Sequence, residues 1–150
     1  MAADIERTAT VVWEGSGAEG QGTLNVGSGA ISNLTISAPS RFEEPNGNTS
    51  PEELIASAHA GCYGMALSFD LSGSGTPPSR LTVTSTVGLE PEPSGNGFRV
   101  AYSHLKLTGS VPGLDRNAFL AAAETARASC PISKLFMGNA EITLDATFVE

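Results

Sequence analysis

Seven residues in this chain have the chemistry to form a site: Cys62, Cys130, His59, His104, the adjacent acids Glu52 and Glu53, and Arg41, one of only six arginines. Two cysteines are too few for a disulfide-stapled scaffold, so each is either a small buried apolar residue or a reactive thiol. Ile55, Cys62 and Met65 fall within about 80° of one another on a helix. That describes a buried thiol on an apolar stripe, with a raised pKa and little reactivity. Cys130 precedes Pro131, and a residue before proline is pushed out of the helical region. It therefore stands as a cap on a short helix beginning at Pro131, whose positive end lowers a thiol pKa.

Glu53 lies three residues after Ser50, the capping-box position. Glu52 has only a generic interaction with the helix dipole to explain it. Arg41 sits in a loop among Glu43, Glu44 and prolines, where it is either a solvated charge or a cation placed to stabilise a thiolate. His59-x-x-Cys62 with Cys130 and His104 is a conceivable Cys2His2 zinc set. The spacings are unlike those of zinc fingers, so no metal is expected, and with no Gly-rich phosphate loop between a strand and a helix no organic cofactor is expected either. His59 reads as a satisfied core or rim histidine.

The elements that position these residues follow from periodicity and punctuation. Thr8–Trp13, Gly22–Val26 and a third, irregular stretch through Ile31, Leu34 and Ile36 read as strands with glycine-rich corners. A polar loop from Pro39 to Thr49 follows. Ser50-Pro51-Glu52-Glu53 then opens a helix predicted over Pro51 to Leu71, with Leu54, Ile55, Ala58, Cys62, Met65, Ala66 and Phe69 at helical spacing. Ser72 to Ser79 is a linker. Leu81–Leu89 and Phe98–Leu107 form a hairpin around Asn96-Gly97. Asp115 caps a helix from Arg116 to Ser129, Pro131 to Met137 restarts as a short turn, and Ile142–Phe148 is the last strand. The order predicts one α+β domain over residues 1–150, with mostly antiparallel sheets. A long central helix carries Cys62, and a broken second helix carries Cys130.

Composition narrows the function. The 150 residues hold 8 basic and 16 acidic side chains, a net charge of −8. Such a surface repels phosphate backbones and anionic lipid, so neither nucleic acid nor a membrane is an expected partner. No apolar run approaches the ~18 residues of a bilayer span. The N-terminus has no basic start followed by an apolar stretch, so a cytoplasmic location is expected.

At these residues the sequence resembles the OsmC/Ohr family of thiol-dependent hydroperoxide reductases. The matching stretches are Trp13-Glu14-Gly15, Ser40-Arg41-Phe42-Glu43, Ser50-Pro51-Glu52-Glu53-Leu54-Ile55 continuing to Ala58-His59-Ala60-Gly61-Cys62, and Met65-Ala66-Leu67-Ser68. Later come Val111-Pro112-Gly113-Leu114, Ala128-Ser129-Cys130-Pro131-Ile132-Ser133-Lys134 and Glu141-Ile142-Thr143-Leu144. The resemblance implies a peroxidatic Cys62, a resolving Cys130, and an Arg41–Glu52 pair that keeps the first thiolate charged and positions the peroxide. In the Ohr branch the functional arginine lies in the first hairpin, which has none here. Arg41 matches the OsmC branch, with Arg7 the other, more distant candidate. The implied partners are an organic hydroperoxide and a dithiol reductant, for which a lipoyl-type group is one candidate.

Glu52 and Cys62 are ten residues apart, about 15 Å along a straight helix, too far for one arginine to touch both comfortably. Two such helices packed antiparallel about a two-fold axis would bring one chain's Glu52 near the other's Cys62. An intertwined homodimer with active sites at the subunit interface is therefore expected. The alternative reading is a non-catalytic protein on the same fold, a redox sensor or hydrophobic-ligand binder.

Overall fold

The structure, a computed structural model, describes residues 3–150. The chain divides into two compact units, one ending at Leu54 and one spanning Ile55–Glu150. The secondary structure is of the mixed α+β kind, with three-stranded sheets β1-β2-β3 and β4-β5-β6.

In the first unit, β1 (Ala9–Glu14), β2 (Gln21–Val26) and β3 (Leu34–Ser37) form an antiparallel meander. Every residue of β1 is exposed, whereas β2 buries Gly22 and Leu24 in alternation. The third strand begins at Leu34 rather than Ile31. Asn33 adopts a left-handed φ of 55°, and Asn25 Oδ1 accepts its N–H at 2.9 Å, so the chain is still turning there. The predicted polar loop contains a short helix, α1 (Ala38–Phe42). Ser37 and Ser40 close a capping box around Pro39: Ser37 Oγ accepts from Ser40 N, and Ser37 N donates to Ser40 Oγ. Ser40 also donates to the Thr49 carbonyl at 2.8 Å, tying the returning segment down.

Helix α2 (Pro51–Gly73) begins where the Ser-Pro-Glu-Glu signal places it. Ser50 Oγ accepts the Glu53 N–H at 3.2 Å, and the Glu53 carboxylate accepts the Thr49 hydroxyl at 2.6 Å.

In the second unit, β4 (Arg80–Pro91) and β5 (Phe98–Ser110) form a long antiparallel hairpin, with a register shift at Gly88/Leu89. Strand β6 (Glu141–Phe148) pairs with β5 in parallel. Parallel neighbours need a long crossover, and α3 (Arg116–Ser129) and α4 (Pro131–Phe136) supply it. Asp115 caps α3 as expected, its side chain accepting from Ala118 N at 3.0 Å.

The core of this unit packs Tyr63, Leu67 and Leu71 of α2 against Leu105 and Leu107 of β5, Phe119, Ala123 and Ala126 of α3, and Phe148 of β6. Gly109 leaves room for the Phe119 ring, since a methyl group there would overlap it. The face of α2 that is buried differs from the one the apolar spacing suggests. His59, Tyr63, Leu67 and Leu71 form the inward row, each four residues from the last, while Met65 and Phe69 are 63% and 72% exposed. The two faces lie about 140° apart around the helix. Sequence spacing selected the second because the inward row starts with two residues that have polar atoms. Both are satisfied inside: the Tyr63 hydroxyl donates to the Ala123 carbonyl at 3.0 Å, and His59 bonds two serines.

Candidate functional site

Cys62 lies on α2 at the margin between these two faces, and is half-buried. Cys130 ends α3 and caps α4, with φ −55° and ψ 126°, as a residue before proline must. It is wholly buried in the core of the second unit. Both thiols are free, and the two sulfurs are within hydrogen-bonding reach of each other. Folding thus brings together two positions 68 residues apart in sequence.

The electrostatics differ from the sequence expectation in one respect. Cys130 caps α4 without any side-chain cap bond. The backbone N–H of Ile132, in the first turn of α4, donates instead to Cys62. Burial pushes the Cys62 thiol up from its ordinary pKa, the Ile132 N–H pulls it down, and Cys130 beside it pushes it up again by hydrogen bond and like charge. The net direction is upward. A helix-start N–H has no intrahelical partner, so a Cys-Pro-Ile run offers one to whatever sulfur lies above it. Sequence spacing shows that an N–H is free; only the fold shows that Cys62, not Cys130, receives it.

In the first unit, Arg41 on α1 grips Glu52 in the first turn of α2. Its Nε donates to both carboxylate oxygens at 3.1 and 3.2 Å, and its Nη2 donates to Oε1 at 2.6 Å. The Glu52 side chain is 11% exposed and that of Arg41 34%. The guanidinium also lies 5.3 Å from the Phe42 ring centroid, a cation–π distance. Glu52 therefore has a specific partner beyond the helix dipole, and Arg41 is held on a helix, not loose in a loop. The fork orients a permanent positive charge with donors to spare. Arg7, the other candidate, donates to the carbonyl of its neighbour Glu6 on an exposed segment.

The Cys2His2 set considered from sequence does not assemble. Both ring nitrogens of His59 are taken by Ser103 and Ser133, and His104 Nδ1 bonds Thr143. Among the described residues, no group of three or more His, Cys, Asp or Glu side chains is arranged to hold a metal. His59 is fully buried, and burial holds its pKa below the ordinary imidazole value, so the ring is neutral. Among the described residues, no helix is long and apolar enough to cross a membrane.

Two adjacent free thiols and a separately braced arginine are what this α+β fold offers for chemistry. The comparisons narrow this further. Residues 44–145 match the family model for OsmC-like proteins. The chain is 38% identical to peroxiredoxin OsmC of Escherichia coli over 94% of its own length and 95% of the relative's. It is 30% identical to an organic hydroperoxide resistance protein-like protein of Staphylococcus epidermidis, over 75% of this chain and 78% of that one. A solved organic hydroperoxide resistance protein OsmC from Legionella pneumophila superposes with a TM-score of 0.75 at 24% identity, covering 97% of this chain and 99% of the other. The chain belongs to the OsmC-like family.

Proposed function

We propose that this protein is a thiol-dependent hydroperoxide reductase that converts organic hydroperoxides to alcohols with Cys62 and Cys130. The names of its relatives, peroxiredoxin OsmC and organic hydroperoxide resistance protein, point to this class. The observation that carries the reading is the pair of free thiols close enough for Cys130 to act on Cys62, one half-buried and one fully buried.

In the proposed cycle, the Cys62 thiolate attacks the distal peroxide oxygen. The O–O bond breaks, the alkoxide leaves and takes a proton as the alcohol, and Cys62 becomes a sulfenic acid. Cys130 then attacks that sulfur, expelling water and closing a disulfide. An external dithiol reduces the disulfide, so each turnover consumes one hydroperoxide and two reducing thiols. Cys62 is the attacking sulfur because it alone has access to solvent and receives the Ile132 N–H. The cycle needs reduced thiols at rest, as a reducing compartment such as the cytoplasm provides.

An upward-shifted thiol needs a counter-charge to ionise. We assign that role to Arg41, oriented by Glu52, acting in a homodimer. Exposed Met65 and Phe69 lie one and two turns beyond Cys62 on a helix face suited to burial, and β1 leaves Val11, Val12 and Trp13 exposed. With Glu52 and Cys62 about 15 Å apart along α2, antiparallel α2 helices would offer one chain's fork to the other chain's sulfur. Apolar side chains around Cys62 would favour alkyl hydroperoxides over hydrogen peroxide, at about 0.8 kcal/mol per buried methylene.

The test is turnover. With cumene hydroperoxide and a dithiol in excess, many equivalents of peroxide are consumed per protein by a species sedimenting as a dimer. A single stoichiometric oxidation would favour the sensor reading, and full activity in a monomer would exclude the shared site.

A further inference from the structure

The proposed cycle uses neither histidine, yet His59 is fully buried in the second unit. Its Nδ1 lies 2.6 Å from Ser103 Oγ on β5, and its Nε2 lies 2.8 Å from Ser133 Oγ on α4. His59, Ser103 and Ser133 are all 0% exposed, and the Ser103 hydroxyl continues to Ser85 Oγ on β4 at 3.0 Å. The imidazole also stacks against Phe136 of α4, with centroids 4.9 Å apart. Burying three polar side chains is unfavourable unless each is paired, and apolar residues such as Leu67 fill the same helix row two turns on. Packing alone does not call for this arrangement.

The spacing shows what the arrangement holds. His59 precedes Cys62 by three residues on α2, and Ser133 follows Cys130 by three at the start of α4. The His59–Ser133 bond therefore joins the two thiol-bearing elements about one helical turn from the point where the sulfurs meet. Helix α4 has six residues and no side-chain cap bond at its start. So short a helix does not hold itself in place, because nucleation costs more than one turn of hydrogen bonds returns. Yet α4 and its cap carry both groups that act on Cys62: the Cys130 sulfur and the Ile132 N–H.

We propose that His59 is a positioning residue: through its bond to Ser133 it fixes α4 on α2, and so keeps Cys130 Sγ and the Ile132 N–H on Cys62. The value of this clamp in catalysis rests on the two-cysteine reading above; the clamp itself is a property of the reduced protein. In the oxidised protein the disulfide ties α4 to α2 directly. Losing the clamp therefore frees the dithiol form more than the disulfide form, and lowers the effective concentration of one thiol at the other.

The experiment equilibrates the intact protein in a glutathione redox buffer and measures the Cys62–Cys130 disulfide by thiol trapping and mass spectrometry. The two protein thiols pass two electrons and two protons to glutathione disulfide, giving the protein disulfide and two glutathiones. Ser133→Ala is expected to lower the effective concentration about tenfold. Ser103→Ala, which cuts the bond to the sheet but not the bond to α4, stays within about twofold. His59→Gln retains a polar group near Nε2 and tracks the wild type, whereas His59→Asn reaches only toward Ser103 and falls with Ser133→Ala. If the histidine variants fail to fold, the two serine variants decide alone.

An unchanged value in Ser133→Ala, an equal loss in both serine variants, or a wild type that never closes the disulfide overturns the clamp. No arm of this test uses a peroxide. A protein that shows the clamp but consumes no hydroperoxide would end the functional proposal and leave this one standing.

Discussion

The fork between Arg41 and Glu52 can be tested by changes that keep charge but lose shape. Arg41→Lys preserves a cation, but a lysine cannot make the three N–H···O contacts to one carboxylate seen here. Glu52 is nearly buried, with 11% of its side chain exposed, while Arg41 is 34% exposed. The pair therefore lies between a solvated bridge worth ~0–1 kcal/mol and a sealed one whose disruption costs ~3–5 kcal/mol. About 1–2 kcal/mol is expected for Arg41→Ala and about half of that for Arg41→Lys. For a chain of this size, Arg41→Ala corresponds to a fall of roughly 3–8 °C in Tm. Loss of a preorganised donor at a reacting oxygen typically costs about 10²–10³ in rate, so kcat/KM for cumene hydroperoxide should fall at least tenfold in Arg41→Lys and in Glu52→Gln. A double-mutant cycle on thermal stability should give a coupling of about 1 kcal/mol. If Arg41→Lys keeps full kcat/KM, the guanidinium shape plays no part in the reaction. If the cycle is additive, the fork contributes nothing as a pair.

Three further outcomes follow from the geometry. His59 has a folded-state pKa below its unfolded value of about 6.5, so below that pH the unfolded chain takes a proton the folded chain resists. Its contribution is intact above about pH 6.5 and is lost on acidification at up to about 1.4 kcal/mol per pH unit; urea midpoints should show a slope there that His59→Gln flattens. Cys130 raises the Cys62 thiol, so Cys130→Ser should move the pH profile of Cys62 alkylation downward, and an unmoved profile would mean that the sulfurs do not meet in solution. Tyr63→Phe removes the buried hydroxyl donating to Ala123 and should cost about 1–2 kcal/mol by denaturant unfolding, without altering kcat.

Much of this was legible in the sequence, and the misses share a cause. The start of α2, the Asp115 cap and the break at Cys130-Pro131 depend on single residues with strong local preferences, and each lies where those preferences put it. Helix α1 was hidden because its cap is a pair of serines inside a polar stretch, where Ser37-x-x-Ser40 is a weaker signal than Ser-x-x-Glu. Within one chain the buried face of α2 is the His59–Tyr63 row, which helical spacing passes over because it counts apolar side chains, while His59 and Tyr63 enter the core only because serines and a carbonyl await them. That Arg41 meets Glu52 came from resemblance. The Ile132 N–H bond to Cys62 is tertiary, and no local pattern reveals which sulfur receives it.

The most direct measurement is peptide mapping of the reduced protein after one equivalent of cumene hydroperoxide, with no reductant present. The account predicts a Cys62–Cys130 disulfide in the wild type, a sulfenic or over-oxidised Cys62 in Cys130→Ser, and unreacted peroxide with Cys62→Ser. Oxidation that begins at Cys130 in Cys62→Ser, with Cys62 left reduced in Cys130→Ser, would contradict it.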